Sequence, residues 1–123
     1  MAKTVLVADD AAFMRMILRD ILTADGFYVC EAVNGRDACE KFAQIRPDVV
    51  TMDISMPEMD GISAVRAILL QDPKARVIVV SARVHPENRD AALSAGALEF
   101  IPKPFPPERL LDAVRGCLGS SFC

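Results

Sequence analysis

No apolar run in the sequence approaches the roughly 20 residues needed to cross a bilayer, so a helical membrane span is excluded. Lysine and arginine nowhere cluster. Fourteen basic residues stand against 17 acidic ones, for a net charge of −3, and that balance argues against a nucleic-acid surface. The four cysteines, Cys30, Cys39, Cys117 and Cys123, form no C-x-x-C pair, and the single histidine, His85, lies near none of them. A metal–thiolate centre is thereby disfavoured. The first three are expected to be reduced, small apolar residues, with Cys123 a terminal thiol open to adventitious oxidation. Met1-Ala2-Lys3 leads straight into an apolar strand, which leaves no room for a signal peptide and makes the cytoplasm the expected location. With no linker and no low-complexity tract, the 123 residues read as one domain, 1–123, large enough for a proper core.

What is present is a regular alternation of strand-like and helix-like segments. Val5–Ala8, Phe27–Ala32, Val49–Met52, Val77–Val80 and Leu98–Ile101 read as strands. Glu31 within the second marks it as an edge strand, whereas Val5–Ala8 reads as a short buried strand and Val49–Met52 is nearly uniformly apolar. Between them, Met14, Ile17, Leu18, Ile21 and Leu22 fit the i, i+3, i+4, i+7, i+8 template of an amphipathic helix, which Asp25-Gly26 closes. Ala38, Phe42 and Ile45 define the inward face of a second helix opened by Asn34-Gly35. A third runs from Gly61 to Leu70, a fourth from Pro86 to Gly96, and a fifth from Pro107 to Leu118. The fourth has only Leu93 as a large apolar anchor, so its hold on the sheet is expected to be the weakest. Five βα repeats with short connections imply an α/β fold with a parallel sheet covered on both faces.

Chemistry-bearing side chains recur where these strands end. Asp9 and Asp10 follow the first, Asp53 the third, Ser81 the fourth, and Lys103 the fifth. In an open parallel sheet, ligands bind at the carboxyl ends of the strands, so these residues should meet in one acidic pocket. Three carboxylates in one place repel and call for a cation. Oxygen ligands without a competing His or Cys suit Mg²⁺ rather than zinc. Asp53 ends the most apolar strand and can act as a nucleophile toward phosphorus. Lys103 and Ser81 supply a charge and a hydroxyl for phosphoryl oxygens. Singly, each residue has an ordinary alternative: a helix cap for the Asp pair, a turn hydroxyl for the Ser, a solvated Lys before Pro. At successive strand ends together, they read as a phosphoryl-transfer site.

Asp9-Asp10, the run Met52-Asp53-Ile54-Ser55-Met56-Pro57-Glu58-Met59-Asp60-Gly61, Ser81-Ala82 and Lys103-Pro104-Phe105 together resemble the receiver domains of two-component response regulators, over essentially the whole chain. The stretch from Ala8 to Arg15 is most similar to the single-domain chemotaxis members of that family. The resemblance implies a doubly wound, flavodoxin-like (βα)5 fold with strand order 2-1-3-4-5. It further implies phosphorylation of Asp53, and Mg²⁺ held by Asp10, Asp53 and the main-chain carbonyl of Ser55, with Asp9 acting mainly through metal-bound water. Ser81, Ala82 and Lys103 would bind the phosphoryl group, and Lys103-Pro104 would be a cis peptide. Phe100 would be the aromatic switch, with Ser55 and Arg83 flanking the phosphoryl group and tuning its lifetime.

Two positions depart from the commonest family pattern. Phe100 replaces a frequent Tyr, so no phenol is available to a partner. Pro102 removes a backbone donor near the end of the last strand, where it is expected to stiffen or fray that edge. His85 reads as a solvated loop residue. By the same resemblance, the function expected is that of a monomeric, phosphorylation-activated switch with slow self-dephosphorylation, not an enzyme. Its donor would be a chemotaxis-type histidine kinase. Its target would be a flagellar-motor switch component or another protein, met by the surface of the fourth helix, last strand and last helix, with a phosphatase as a further partner. No effector region is expected beyond Leu118. The alternatives are a single-domain phosphorelay carrier, a receiver cut from a larger regulator, and a Mg²⁺-dependent aspartyl-phosphate phosphatase. The last would be expected to place a D-x-D nucleophile after its first strand and to carry a cap segment, whereas here the two Asp are adjacent and the loops short.

Overall fold

A computed structural model of the chain describes residues 2–119, which leaves Cys123 outside the described residues. Five strands, β1 (Thr4–Ala8), β2 (Tyr28–Ala32), β3 (Val49–Met52), β4 (Val77–Ser81) and β5 (Glu99–Pro102), alternate with five helices. These are α1 (Ala12–Ala24), α2 (Gly35–Ile45), α3 (Gly61–Gln71), α4 (Pro86–Ala95) and α5 (Pro107–Cys117). All pairings are parallel, and the strand order is β2-β1-β3-β4-β5. The architecture is the doubly wound fold expected. Element boundaries fall within a residue of those read from the sequence pattern.

The strand alternation divides the core in two. Val5, Val7, Val49, Ile78, Val80 and Ile101 pack against Leu18 and Leu22 of α1 and Leu110, Leu111 and Val114 of α5. Leu6, Val50, Met52, Val77, Val79 and Phe100 face the other way, onto α2, α3 and α4. Successive strand residues point to opposite faces, so uniformly apolar strands are what two covered faces require.

Two helix residues expected to point inward do not. Ile45 is 38% exposed, because it is the last residue of α2 and the chain leaves the helix at Arg46, whose φ is +54°. Leu93 is 37% exposed, and Ala92 is the one buried residue of α4. Neighbouring helix positions are turned by about 100°, so with Ala92 facing the sheet Leu93 is rotated toward water. The small anchor strengthens the argument that α4 has the least apolar attachment of the five helices. Pro102 neither frays nor interrupts the ladder. As the last residue of an edge strand it pairs with Ser81, and the next amide, Lys103 N–H, donates to Ser81 O at 2.9 Å.

Two glycines are required by close approach. Gly35 and Gly61 are both buried, and a Cβ at either would collide with backbone, the Met59 carbonyl in one case and the Asp53 carbonyl in the other. Gly61 N–H also donates to Ile54 O at 2.9 Å, and Gly35 N–H to Met59 O at 3.1 Å. The first contact folds the 53–61 loop back on itself, and the second ties it to the start of α2. Within that loop Glu58 takes φ +69°, a left-handed turn made by a non-glycine residue. Gly61→Ala is therefore expected to destabilise the fold by about 1–3 kcal/mol, the usual cost of overpacking, as read by urea denaturation.

Cys30, Cys39 and Cys117 are free and half-buried. Burial pushes the Cys39 thiol up. Burial, followed by the Glu99 carboxylate, pushes Cys117 up to about 11 from an ordinary 9.0. Because the thiolate is the reactive form, Cys117 should carry about 100-fold less of it than an ordinary thiol near neutral pH. In a Cys123→Ser variant, iodoacetamide at pH 8 should label Cys117 correspondingly slowly, as followed by peptide mass.

Candidate functional site

The parallel ladder positions the site one hydrogen bond beyond the formal strand ends. Asp9 N–H donates to Ala32 O at 3.1 Å, Asp53 N–H to Ala8 O at 3.0 Å, and Lys103 N–H to Ser81 O at 2.9 Å. Each functional side chain is thus fixed by a backbone bond to the neighbouring strand. Because the strands run parallel, all of these ends lie at one edge of the sheet. One carboxylate oxygen from each of Asp9, Asp10 and Asp53 can be chosen so that all three lie within 4.8 Å of one another. Asp9 and Asp53 are buried and Asp10 is exposed.

Lys103 crosses from the far strand to meet them. Its Nζ is 2.7 Å from Asp9 Oδ2 and 3.7 Å from Asp53 Oδ2, and the Lys103–Pro104 peptide is cis. The other oxygen of Asp9 accepts from Ala11 N–H at 2.9 Å. The helix-cap alternative for the Asp pair is thereby partly realised, by Asp9 alone, while Ala11 occupies the N-cap position without a side-chain bond. Burial raises the Asp53 carboxyl above its ordinary 3.8. Lys103 opposes that shift, Asp9 reinforces it, and hydrogen bonds from the Ile54 and Ser55 amides oppose it again. Two buried carboxylates sharing one ammonium remain short of positive charge, and all the available ligands are oxygens. That combination fits Mg²⁺.

Ser81 is fully buried, and its hydroxyl accepts from Arg83 N–H at 3.0 Å. Ser55, two residues past Asp53, and Ala82 and Arg83, which follow Ser81, are exposed. Ala82 and Lys103-Pro104-Phe105 join Met14 and Ile17 of α1 in lining a groove of about 300 Å³ beside the carboxylates. Phe100 lies one strand step before Ile101, with its ring buried in the α2–α4 side of the core. His85 is exposed, as expected, but also caps α4, its Nδ1 accepting from Glu87 N–H at 3.3 Å.

One part of the site's surroundings was not legible in advance. Glu31, read as an edge-strand marker, accepts from Arg15 Nε at 2.9 Å and Arg19 Nε at 2.6 Å. Spacing within α1 puts Arg15 and Arg19 on one face, but only the β1–β2 register shows that this face meets Glu31.

A family model described as the response regulator receiver domain matches residues 5–115, and the chain belongs to that family. It is 52% identical over 115 residues to the chemotaxis protein CheY of Thermotoga maritima, covering 93% of this chain and 96% of that one. To CheY of Bacillus subtilis it is 50% identical over 119 residues, covering 96% and 99%. Among solved structures, the CheX–CheY–BeF3–Mg complex from Borrelia burgdorferi matches with a TM-score of 0.89 at 36% identity, covering 93% of this chain and 87% of that one. The chain is a CheY-like receiver domain.

The raised Asp53 pKa has a consequence for stability. The folded protein holds the Asp53 proton more tightly than the unfolded chain, so this contribution is complete below the ordinary 3.8 and is lost as pH rises through the folded value. At neutral pH, without metal, ionised Asp53 costs stability. Asp53→Asn should therefore raise the free energy of unfolding in urea at pH 7 by about 1 kcal/mol, the common scale when a functional-site conflict is relieved. The gap to wild type should narrow in acid.

Proposed function

We propose that this protein is a phosphorylation-activated chemotaxis switch, with Asp53 as its phosphoacceptor. The observation that carries the reading is the Asp53 carboxylate, buried and raised in pKa, beside Asp9 and within 3.7 Å of Lys103 Nζ at the carboxyl edge of the sheet. Asp9, Asp10, Asp53 and the Ser55 carbonyl would hold Mg²⁺, which supplies charge neutralisation for the transferring phosphoryl oxygens.

An Asp53 oxygen attacks the phosphorus of a phosphohistidine on the donor kinase. The P–N bond breaks, its electron pair returns to the imidazole, which takes up a proton from solvent, and an acyl phosphate forms on Asp53. Lys103 Nζ is already within the pocket and needs only to exchange Asp9 for a phosphoryl oxygen. Ser81 donates to the new group while still accepting from the Arg83 amide, so the β4–α4 loop follows the hydroxyl and is tied to the phosphorylation state. Phe100, in the same core cluster as Ala92 of α4, follows the helix. Slow attack of water on phosphorus returns inorganic phosphate and the free carboxylate, with Ser55 and Arg83 at the mouth setting access.

The similarity to CheY proteins across nearly the whole of both chains supports a chemotaxis kinase as donor and a motor component or a CheX-type protein as target. A phosphatase with a D-x-D nucleophile after its first strand is disfavoured by the same match, and by Asp53, the buried acid of raised pKa, following β3.

Incubation with acetyl phosphate and Mg²⁺ should add one phosphoryl group to the intact mass. The adduct should be absent without Mg²⁺ and in Asp53→Asn. No gain in mass for the wild type, under conditions where beryllofluoride also leaves its amide spectrum unchanged, would reject the reading.

A further inference from the structure

The similarity-bearing stretch from Ala8 to Arg15 contains one charged residue for which phosphoryl chemistry has no use, Arg15. Its guanidinium is largely buried and makes two bonds in different directions. Nη1 donates to the main-chain carbonyl of Asp9 at 2.8 Å, and Nε donates to Glu31 Oε1 at 2.9 Å. Glu31 is itself anchored, since its other oxygen accepts from Arg19 Nε at 2.6 Å and its main-chain carbonyl accepts from Lys41 Nζ at 2.6 Å. Asp9 is consequently held at every polar group it possesses: N–H by Ala32, C=O by Arg15, Oδ1 by Ala11 N–H and Oδ2 by Lys103.

The turn from Asp9 to Ala12 needs such a device. The N-cap of α1 is Ala11, which has no side chain to bond the first helical amides. The helix entry immediately after the acidic pair therefore lacks the usual lock, and Arg15, reaching back from the second turn, closes it. A guanidinium suits this task because its planar fork serves a carbonyl and a carboxylate at once, which a single ammonium does poorly. Its charge would by itself oppose a cation in the pocket, but Glu31 neutralises it on the side away from the carboxylates.

We infer that Arg15, anchored by Glu31, is a positioning residue that fixes the Asp9–Asp10 turn and thereby sets the affinity of the acidic pocket for its divalent cation. The inference rests on the proposed Mg²⁺ reading of that pocket. Geometry and charge make opposite predictions for removal of the guanidinium: lost positioning weakens Mg²⁺ binding, whereas lost repulsion tightens it.

Mg²⁺ titration by calorimetry and by amide chemical shifts, on wild type, Arg15→Ala, Arg15→Lys, Glu31→Gln and the control Arg115→Ala, whose guanidinium pairs with Asp25 just past the far end of α1, separates the two. Arg15→Ala should weaken Mg²⁺ binding by roughly tenfold, the scale of lost support for metal ligands. Arg15→Lys and Glu31→Gln should fall between it and wild type, and Arg115→Ala should stay near wild type. In phosphorylation by acetyl phosphate, the half-saturating Mg²⁺ concentration should rise by the same factor while the rate at saturating Mg²⁺ is kept. A merely structural role would not produce that split. Unchanged or tighter binding in Arg15→Ala, or a loss of maximal rate at unchanged half-saturation, would overturn the inference. If Arg15→Ala does not fold, Arg15→Lys and Glu31→Gln decide by the same criteria. A wild type that binds no Mg²⁺ would instead remove the metal reading, and the inference with it.

Discussion

Two carboxylates, Asp9 and Asp53, are buried side by side with a single ammonium between them, and much of the structure exists to keep that arrangement in place. Lys103 is closer to Asp9 than to Asp53, at 2.7 against 3.7 Å, so the pair is compensated unevenly. Asp9 has the short charge-assisted bond. Asp53 keeps the burial penalty, and its carboxyl is pushed up for that reason first. Such an acid is more basic than an ordinary one, and it gains from any event that brings positive charge to it or replaces its anionic oxygen with a better-solvated group. In this sense the metal-free pocket is electrostatically incomplete, as perturbed acids at functional sites commonly are.

The fold meets this demand with rigid backbone rather than loops alone. Asp9, Asp53 and Lys103 each extend the sheet by one more ladder bond, so their Cα positions belong to the core rather than to the connections. Gly61 closes the 53–61 loop on Asp53, and Gly35 holds it against the start of α2, both at approaches where no Cβ is tolerated. Mobility is left to the other side of the site. There α4 offers the core one fully buried residue, Ala92, and the β4–α4 loop is exposed from Ala82 to His85. On the proposed reading, a rigid acidic edge next to a lightly attached helix is the division of stability expected of a switch that rearranges while its reaction centre does not.

The fold was open to reading because apolar strands covered on both faces and amphipathic helices carry separate periodicities, and this chain observes both. The acidic pocket was legible for a related reason: strand ends in a parallel sheet must lie together, so Asp9, Asp10, Asp53, Ser81 and Lys103 could be placed side by side before any distance was known. Other features depended on geometry that no local pattern encodes. Leu93 looked like the anchor of α4 by size, but the helix phase gave that place to Ala92. Pro102 looked disruptive because an edge strand's outward amide cannot be recognised from one residue. The bonds from Arg15 to Asp9 and Glu31 span different elements, and only the pairing of β1 with β2 brings them together.

Ser81 connects the rigid and the yielding halves. Its backbone belongs to β4 and accepts from Lys103 N–H, while its buried hydroxyl is bonded to the Arg83 amide in the exposed loop. A hydroxyl can donate to one acceptor while accepting from an amide, so an anion on Asp53 can draw it without leaving an unpaired group only if the loop follows. The alternative, moving Ser81 and abandoning the Arg83 N–H, would strand a backbone donor at a cost comparable to a lost hydrogen bond. On the proposed reading, coupling between the phosphoryl group and the α4 surface therefore needs no long relay. It needs one buried hydroxyl whose partner is the loop itself, and Phe100 packed beneath the same helix to take up the displaced space.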